Sequence, residues 1–201
     1  LQLDRTGSFT TDHISKENLA LYFLSDGAAS ELQTSALAVT FEILAARQGK
    51  FYQIGAGPSL PAGVRNISTV IVKKGAGYTT TVTQPGNYEV DEATGRIYII
   101  PGSTDLPDVG GAGTAIQVTY DLAATTREQI VSKSTSIYGA LRFVADNPKG
   151  KNRDYYFPYV KLAPDGDYNL KGDDWQSMSF SFEALKKATN IEAVYIDGRG
   201  A

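Results

Sequence analysis

Two stretches of strict two-residue alternation constrain the fold of this chain more than any other feature. In residues 35–44, Leu37, Val39, Phe41 and Ile43 fall on one face and Ala36, Ala38, Thr40 and Glu42 on the other. In residues 177–182, Met178, Phe180 and Phe182 alternate with Ser177, Ser179 and Ser181. Successive side chains of a β-strand point to opposite faces, so this period puts one face in a core and the other against solvent or a neighbour. Weaker strand signals lie at 1–11, 51–54, 69–73, 78–83, 114–122, 137–145, 155–162 and 193–197. Residues 88–90 and 96–100 flank Asp91-Glu92-Ala93-Thr94-Gly95, whose glycine can take positive φ, and read as a hairpin. The expected class is mostly β.

One helix is expected, over residues 16–24. Ser15 can accept from a free N–H of the first turn as N-cap. Ile14 and Leu19 have the spacing of a hydrophobic staple, and Gly27 is placed to end the helix. Such a short helix needs packing against a sheet to persist. Residues 183–189 read as a further helical turn.

Residues 55–113 hold Pro58, Pro61, Pro85, Pro101 and Pro107 among many glycines. They read as hairpins and long loops elaborating the sheet of a single domain, 1–201, without a periodic core of their own. No repeat of 20–50 residues is present. The longest apolar run, residues 19–24, falls far short of a membrane helix, which needs roughly 20 residues. The chain starts with Leu, and Leu1-Gln2-Leu3-Asp4 already alternates like a strand. This reads as the body of a longer protein whose N-terminal segment was processed, disordered or removed.

Chemistry is narrowed by what the residues allow. Cysteine is absent, which removes disulfides, thiolate nucleophiles and Cys-based metal sites. With His13 as the one histidine, no multi-His metal site forms within one chain. Nineteen Lys and Arg against 22 Asp and Glu give a net charge of −3, without the clustered positive face that a dedicated duplex-DNA binder requires. The acidic stretch 165–174 opens like a calcium loop, but Leu170 and Gln176 occupy positions where an EF-hand needs Gly and Glu. The glycine runs 55–57 and 110–113 lack the Gly-Lys-Ser/Thr of a phosphate-binding loop, and no Gly-x-Ser-x-Gly occurs. Asp173 and Asp174 are adjacent and would diverge on a strand, away from glycosidase geometry. No catalytic, cofactor or metal-ligand set is expected, and weight shifts to an assembly or binding protein.

Three segments carry a family resemblance: residues 145–176, containing Lys149-Gly-Lys151-Asn-Arg153-Asp-Tyr-Tyr-Phe-Pro-Tyr; residues 6–21, Thr6-Gly-Ser-Phe-Thr-Thr-Asp-His-Ile-Ser through Leu21; and the hairpin Tyr88-Glu-Val-Asp-Glu-Ala-Thr-Gly-Arg-Ile-Tyr98. In order along the chain, they resemble the tail tube (major tail) proteins of long-tailed, non-contractile bacteriophages. The resemblance implies a β-sandwich or barrel-like tail-tube fold with one short flanking α-helix and long hairpin loops. It implies hexameric rings whose inner strands join into a continuous barrel, stacked into a tube that carries the genome into the host. Partners would be further copies of the chain, a tape-measure protein in the lumen, and tail terminator and distal tail proteins at the ends. DNA would pass without specific binding. The location would be the virion tail, with the host cytoplasm during assembly. Family members usually have further sequence before the segment resembling 6–21.

A strand with an apolar face and a face of small hydroxyls suits a lumen wall, making Ser177, Ser179 and Ser181 the candidate lumen face. An outer sheet face is the competing reading. Lys149, Lys151 and Arg153 form the one basic concentration and are candidate ring-to-ring contacts. Loops 55–68 and 101–113 are expected to gain order from such contacts. The rival reading is a non-catalytic receptor- or carbohydrate-binding β domain of a phage or bacterial surface assembly, and a hydrolase with acids from distant strands comes third.

Overall fold

The computed structural model describes residues 4–108, 110–170 and 175–199. In chain order it contains β1 (Arg5–Thr11), α1 (Lys16–Tyr22), β2 (Ala28–Gln33), β3 (Ala36–Ala46), β4 (Phe51–Gln53) and β5 (Ile67–Lys74). After a 3-10 turn at Ala76–Tyr78 come β6 (Thr80–Val82), β7 (Tyr88–Asp91), β8 (Arg96–Ile99) and β9 (Thr114–Leu122). Then follow β10 (Thr125–Ile130), β11 (Ile137–Val144), β12 (Arg153–Pro164), β13 (Met178–Ala184) and β14 (Tyr195–Gly198). The chain is mostly β, with antiparallel sheets and one short α-helix among the described residues. No described helix is long and apolar enough to cross a membrane.

The chain divides into two compact units, Leu1–Ala29 with Glu128–Ala201, and Ser30–Arg127. This differs from the expected single body, and the reason is where apolar side chains accumulate. In the second unit, the four-stranded sheet β3-β9-β5-β6 and the three-stranded sheet β4-β8-β7 share one core. Val64, Ile67, Val72, Val82, Tyr88, Ile97, Ile99 and Leu106 all belong to that core and all come from 55–113. The segment read as loop elaboration is therefore the centre of a packed unit. Its strands are short and interrupted by turns, which hid their two-residue period.

Strand β3 shows how a bulge redirects a pattern. Val39, Phe41 and Ile43 point inward as expected, but Leu37 is 82% exposed. The pairing with β9 shifts between Ala36 and Val39. Ala38 takes φ of 52° there, and its N–H donates to Asp121 Oδ1 at 2.8 Å. An extra residue turns the side chains before it to the other face. A second shift, between Ile43 and Ala46, turns Ala46 inward against the period.

The long loops are held from within the chain. Gln53 Nε2 donates to the carbonyls of Val64, Thr94 and Gly95 at 3.0, 3.0 and 2.9 Å. Gly95 has φ of 65°, and a Cβ there would overlap the Val64 carbonyl, so only glycine fits. In loop 101–108, buried Ser103 donates to Asn87 Oδ1 at 2.7 Å and accepts from the Leu106 N–H at 3.0 Å. Lys74 Nζ reaches Asp105 Oδ1 at 2.9 Å. Buried polar groups with partners of this kind fix a loop without a second subunit.

In the first unit the order is β1-β13-β12-β11, with β14 added against the start of β12. Helix α1 starts as expected: the Asn18 N–H donates to Ser15 Oγ at 3.1 Å. It ends earlier than Gly27, at Tyr22, because Leu24 takes φ of 53° and leaves the helical region. Ile14 and Leu19 join the cluster around Tyr22, Met178 and Phe180. Two expectations fail outright. Residues 183–189 are not helical: Glu183 and Ala184 finish β13, and Ala188 bridges Ile191. Strands β2 and β10 pair with each other and had no counterpart in the sequence reading, since Ala28–Gln33 and Thr125–Ile130 hold mostly small and polar residues without an alternating apolar face.

Ile97 is fully buried at the middle of the three-stranded sheet. Ile97→Ala should destabilise the chain by about 2–5 kcal/mol in urea unfolding, while Leu37→Ala should change it by less than about 0.5 kcal/mol. Equal effects would contradict the bulged register of β3.

Candidate functional site: a two-faced sheet with open edges

The candidate lumen serines belong to β13 and its approach. Met178 and Phe180 are buried and Phe182 is half-buried, whereas Ser179 and Ser181 face the other way and Ser177 lies exposed just before the strand. Antiparallel pairing places like faces opposite each other. Thr10 stands across from Ser179, Ser8 from Ser181 and Thr6 from Glu183. On the other side of β13, Lys161 meets Glu183 and Ala163 meets Ser181. Over β1 and β13 this face is thus a field of small hydroxyls with a few charges, whereas over β11 and β12 it carries Tyr138, Arg142 and Tyr156. Thr10 Oγ1 and Ser179 Oγ lie 3.0 Å apart. The sequence signal for β13 extended silently to β1, because Thr6, Ser8 and Thr10 carry the same polar period.

The opposite face is apolar and aromatic. Phe9 stacks on Phe180 with centroids 5.1 Å apart, and Tyr22 from α1 meets Phe180 edge-on at 5.6 Å. Gly7 lies opposite Phe182, and a Cβ there would stand 2.5 Å from that ring. Beyond the helix a cavity of about 650 Å³ remains, lined by Phe9, Leu141, Phe143, Tyr155, Phe157 and Phe182 among others. Its lining comes partly from β1 and β11, the two ends of the strand path. Among the described residues no strand pairs with the outer side of either. Phe143 is 59% and Val144 58% exposed on β11.

The basic candidates sit on the connection from β11 to β12. Lys149, Lys151 and Arg153 are all exposed. The Asn147 N–H donates to Asn152 Oδ1 at 2.7 Å and closes the loop. Asp154, the flanking acid in sequence, is engaged by Arg199 at 2.8 Å, and Arg199 also donates to the Ala145 carbonyl at 2.6 Å. A concavity is lined by Lys151, Asn152, Arg153, Gly198 and Arg199. Arg199 was invisible to sequence reasoning because pairing of β14 with β12, not sequence spacing, brings it there. Lys149 does not line this concavity.

The other sequence candidates remain apart from these faces. His13 is exposed at the entry to α1, where its carbonyl accepts from the Ser15 N–H at 3.0 Å. In the acidic stretch, Asp165 and Asp167 are exposed, and residues 171–174 lie outside the described residues. Among the described residues, no three His, Asp or Glu side chains converge as a metal site.

Residues 2–195 match a family described as "protein of unknown function UCP028589". The chain belongs to that family. No curated protein matches the sequence. The family match spans residues from both compact units, so it covers the two-faced sheet and the looped sandwich together.

The bond from Arg199, opposed in part by desolvation, holds the Asp154 carboxyl below the usual carboxylate range. A depressed carboxylate pKa adds stability above the unfolded-state value, and that stability is lost as pH falls through the folded value. Asp154→Asn should therefore lower stability at neutral and alkaline pH, leave it little changed at about pH 2, and so flatten the acid limb of the stability–pH curve. Thermal melts between about pH 2 and pH 7 measure this.

Proposed function

We propose that this protein is a structural subunit of a phage tail tube, assembling with copies of itself into rings that stack into a conduit for the genome. What supports the reading most is the sheet β1-β13-β12-β11. It has a face that is hydroxyl-rich over β1 and β13, an apolar face, and, among the described residues, an unpaired outer edge at each end of its path.

Unpaired strand edges present rows of free N–H and C=O groups, and a monomer normally blunts them. Here both edges belong to the same sheet, so one copy can join a second on one side and a third on the other. Repetition of such a heterologous contact generates a closed ring when the rotation closes. Addition at β11 would also cover Phe143 and Val144, which stand in water in the isolated chain. The hydroxyl face would then line the channel. Small neutral hydroxyls offer weak contacts to a passing polyanion, and the net charge of −3 adds no counterion-release affinity. The tape-measure protein would fill the lumen before ejection, and terminator and distal tail proteins would close the ends. The setting would be the virion tail, assembled in the host cytoplasm. No catalytic step enters this role.

The basic loop is the proposed ring-to-ring contact. Lys149, Lys151 and Arg153 are exposed without an ion pair among the described residues. Charges exposed in this way act across roughly 10 Å at 0.1 M salt and are screened beyond it. Stacking should therefore weaken as salt rises.

Negative-stain electron microscopy of the purified chain across a salt series tests the proposal. Rings or tubes with an axial channel are expected, stacked at low salt and separating at high salt. Phe143→Asp combined with Val144→Asp should abolish rings while shifting stability by less than about 0.5 kcal/mol, since both are exposed. Dispersed monomers from the unaltered chain at every salt concentration would turn the reading toward the receptor- or carbohydrate-binding module.

Changing Ser177, Ser179 and Ser181 to Lys should leave tubes intact but impair genome passage, because a cationic channel grips phosphate. Infectivity of phage carrying the triple substitution, at unchanged tail length, reports the outcome. Full infectivity would remove these serines from the lumen.

A further inference from the structure

The second unit carries a cluster of positive charge that neither the core nor the proposed tube contacts explain. Arg65 Nη1 donates to the carbonyls of Ala62 and Val64 at 2.8 and 2.9 Å. Arg127 Nη2 donates to the intervening Gly63 carbonyl at 2.9 Å. Two guanidiniums thus anchor on three consecutive peptide units, whose Cα atoms are spaced about 3.8 Å apart. Neither is ion-paired among the described residues. Arg96 stands close enough that its charge, after burial and the charge of Arg127, pushes the Arg65 guanidinium below its ordinary value. Asp91, whose charge acts on Arg65 in the opposite direction, is already engaged by Arg96 at 3.2 Å and by the Thr94 N–H at 3.1 Å.

The platform under these groups is rigid. The Gln53 amide ties Val64 to Thr94 and Gly95. The Gln33 side chain accepts from the Arg65 N–H at 3.0 Å and donates to the Arg65 carbonyl at 2.6 Å. Arg65 and Arg127 are half-buried, and their remaining N–H groups have no bonded partner among the described residues. A guanidinium has five donors in a planar fork that matches two oxygens of a carboxylate or phosphate. Like charges held together on a fixed frame, with donors to spare, are complementary to one anion between them.

We propose that Arg65 and Arg127, with Arg96 at the rim, form a binding site for a single oxyanion of phosphate or carboxylate type. The frame is already ordered, so binding needs little rearrangement, and the bound anion relieves the repulsion between the Arg65 and Arg127 guanidiniums, Arg96 being paired with Asp91. The site lies in a different compact unit from the two-faced sheet and does not depend on tube assembly.

The test titrates the full chain with inorganic phosphate and, separately, with acetate, each against sodium chloride of equal ionic strength. Two readouts are followed: the melting midpoint, and the Nε–H resonances of Arg65 and Arg127 in nitrogen-15 spectra. Phosphate at about 20 mM should raise the midpoint saturably by about 5 °C and shift both resonances. Arg127→Gln should reduce that rise at least threefold, whatever its own starting midpoint. Saturation by phosphate alone assigns a tetrahedral phosphate group, and saturation by both assigns a site open to acidic side chains as well. Absence of any saturable shift with either anion overturns the proposal. So does an equal phosphate effect in Arg127→Gln, which would mark a general salt effect.

Discussion

Antiparallel pairing of β13 with β1 on one side and β12 on the other is the constraint from which the first unit follows. Once Phe180 lies opposite Phe9, every second residue along β1, β13 and the end of β12 paired with it shares the apolar face, and on β1 and β13 the residues between them supply the hydroxyls. A slip of one residue would exchange the faces and put Ser179 and Ser181 into the core. The phenylalanines prevent that slip. Phe9 stacks on Phe180, and Phe182 fills the space that Gly7 leaves across the strand gap. Helix α1 completes the arrangement by laying Tyr22 on Phe180, with its hydroxyl donating to the Gly166 carbonyl at 2.9 Å.

The second unit solves a different problem, ordering short strands joined by long connections. Its two sheets bury isoleucine and valine against each other, and side-chain amides then tie the connections down. Gln53 and Asn87 are two such anchors: one gathers the carbonyls of Val64, Thr94 and Gly95, the other links Thr83, Ser103 and Asp105. Such amides act where a loop carbonyl would otherwise lose its hydration without replacement. The consequence is a rigid surface on which the arginine cluster stands. Within each unit, then, a packed interior leaves a specific exposed chemistry: open strand edges in one, crowded guanidiniums in the other.

Legibility in the sequence tracked the length and regularity of each strand. The period in β13 was plain, that of β9 was a weaker signal, and the hairpin of β7 and β8 was announced by Asp91 through Gly95. The helix start could be read because capping by Ser15 is a local hydrogen bond. In β3 the same period failed at Leu37 because a bulge inserts a residue, and bulges leave no mark on alternation. Strands β2 and β10, which pair with each other, were hidden because their small and polar residues show no apolar alternation. Loops 55–68 and 101–113 were expected to gain order from neighbouring subunits, because the bonds from Gln53 and Asn87 that hold parts of them reach residues far along the chain.

The sequence alone determined that the chain is mostly β, that it carries one capped helix, and that thiolate and multi-histidine chemistry lie outside a single chain. These follow from side-chain period, local hydrogen bonding and residue inventory, none of which depends on distant contacts. The tertiary structure decided that there are two packed units, that Thr6, Ser8 and Thr10 join the serines on one face, and that Arg199 completes the basic concavity. It also placed Arg65, Arg96 and Arg127 together. Each of those outcomes rests on strand pairing between segments tens of residues apart, and long-range pairing is set by which apolar faces can be buried together.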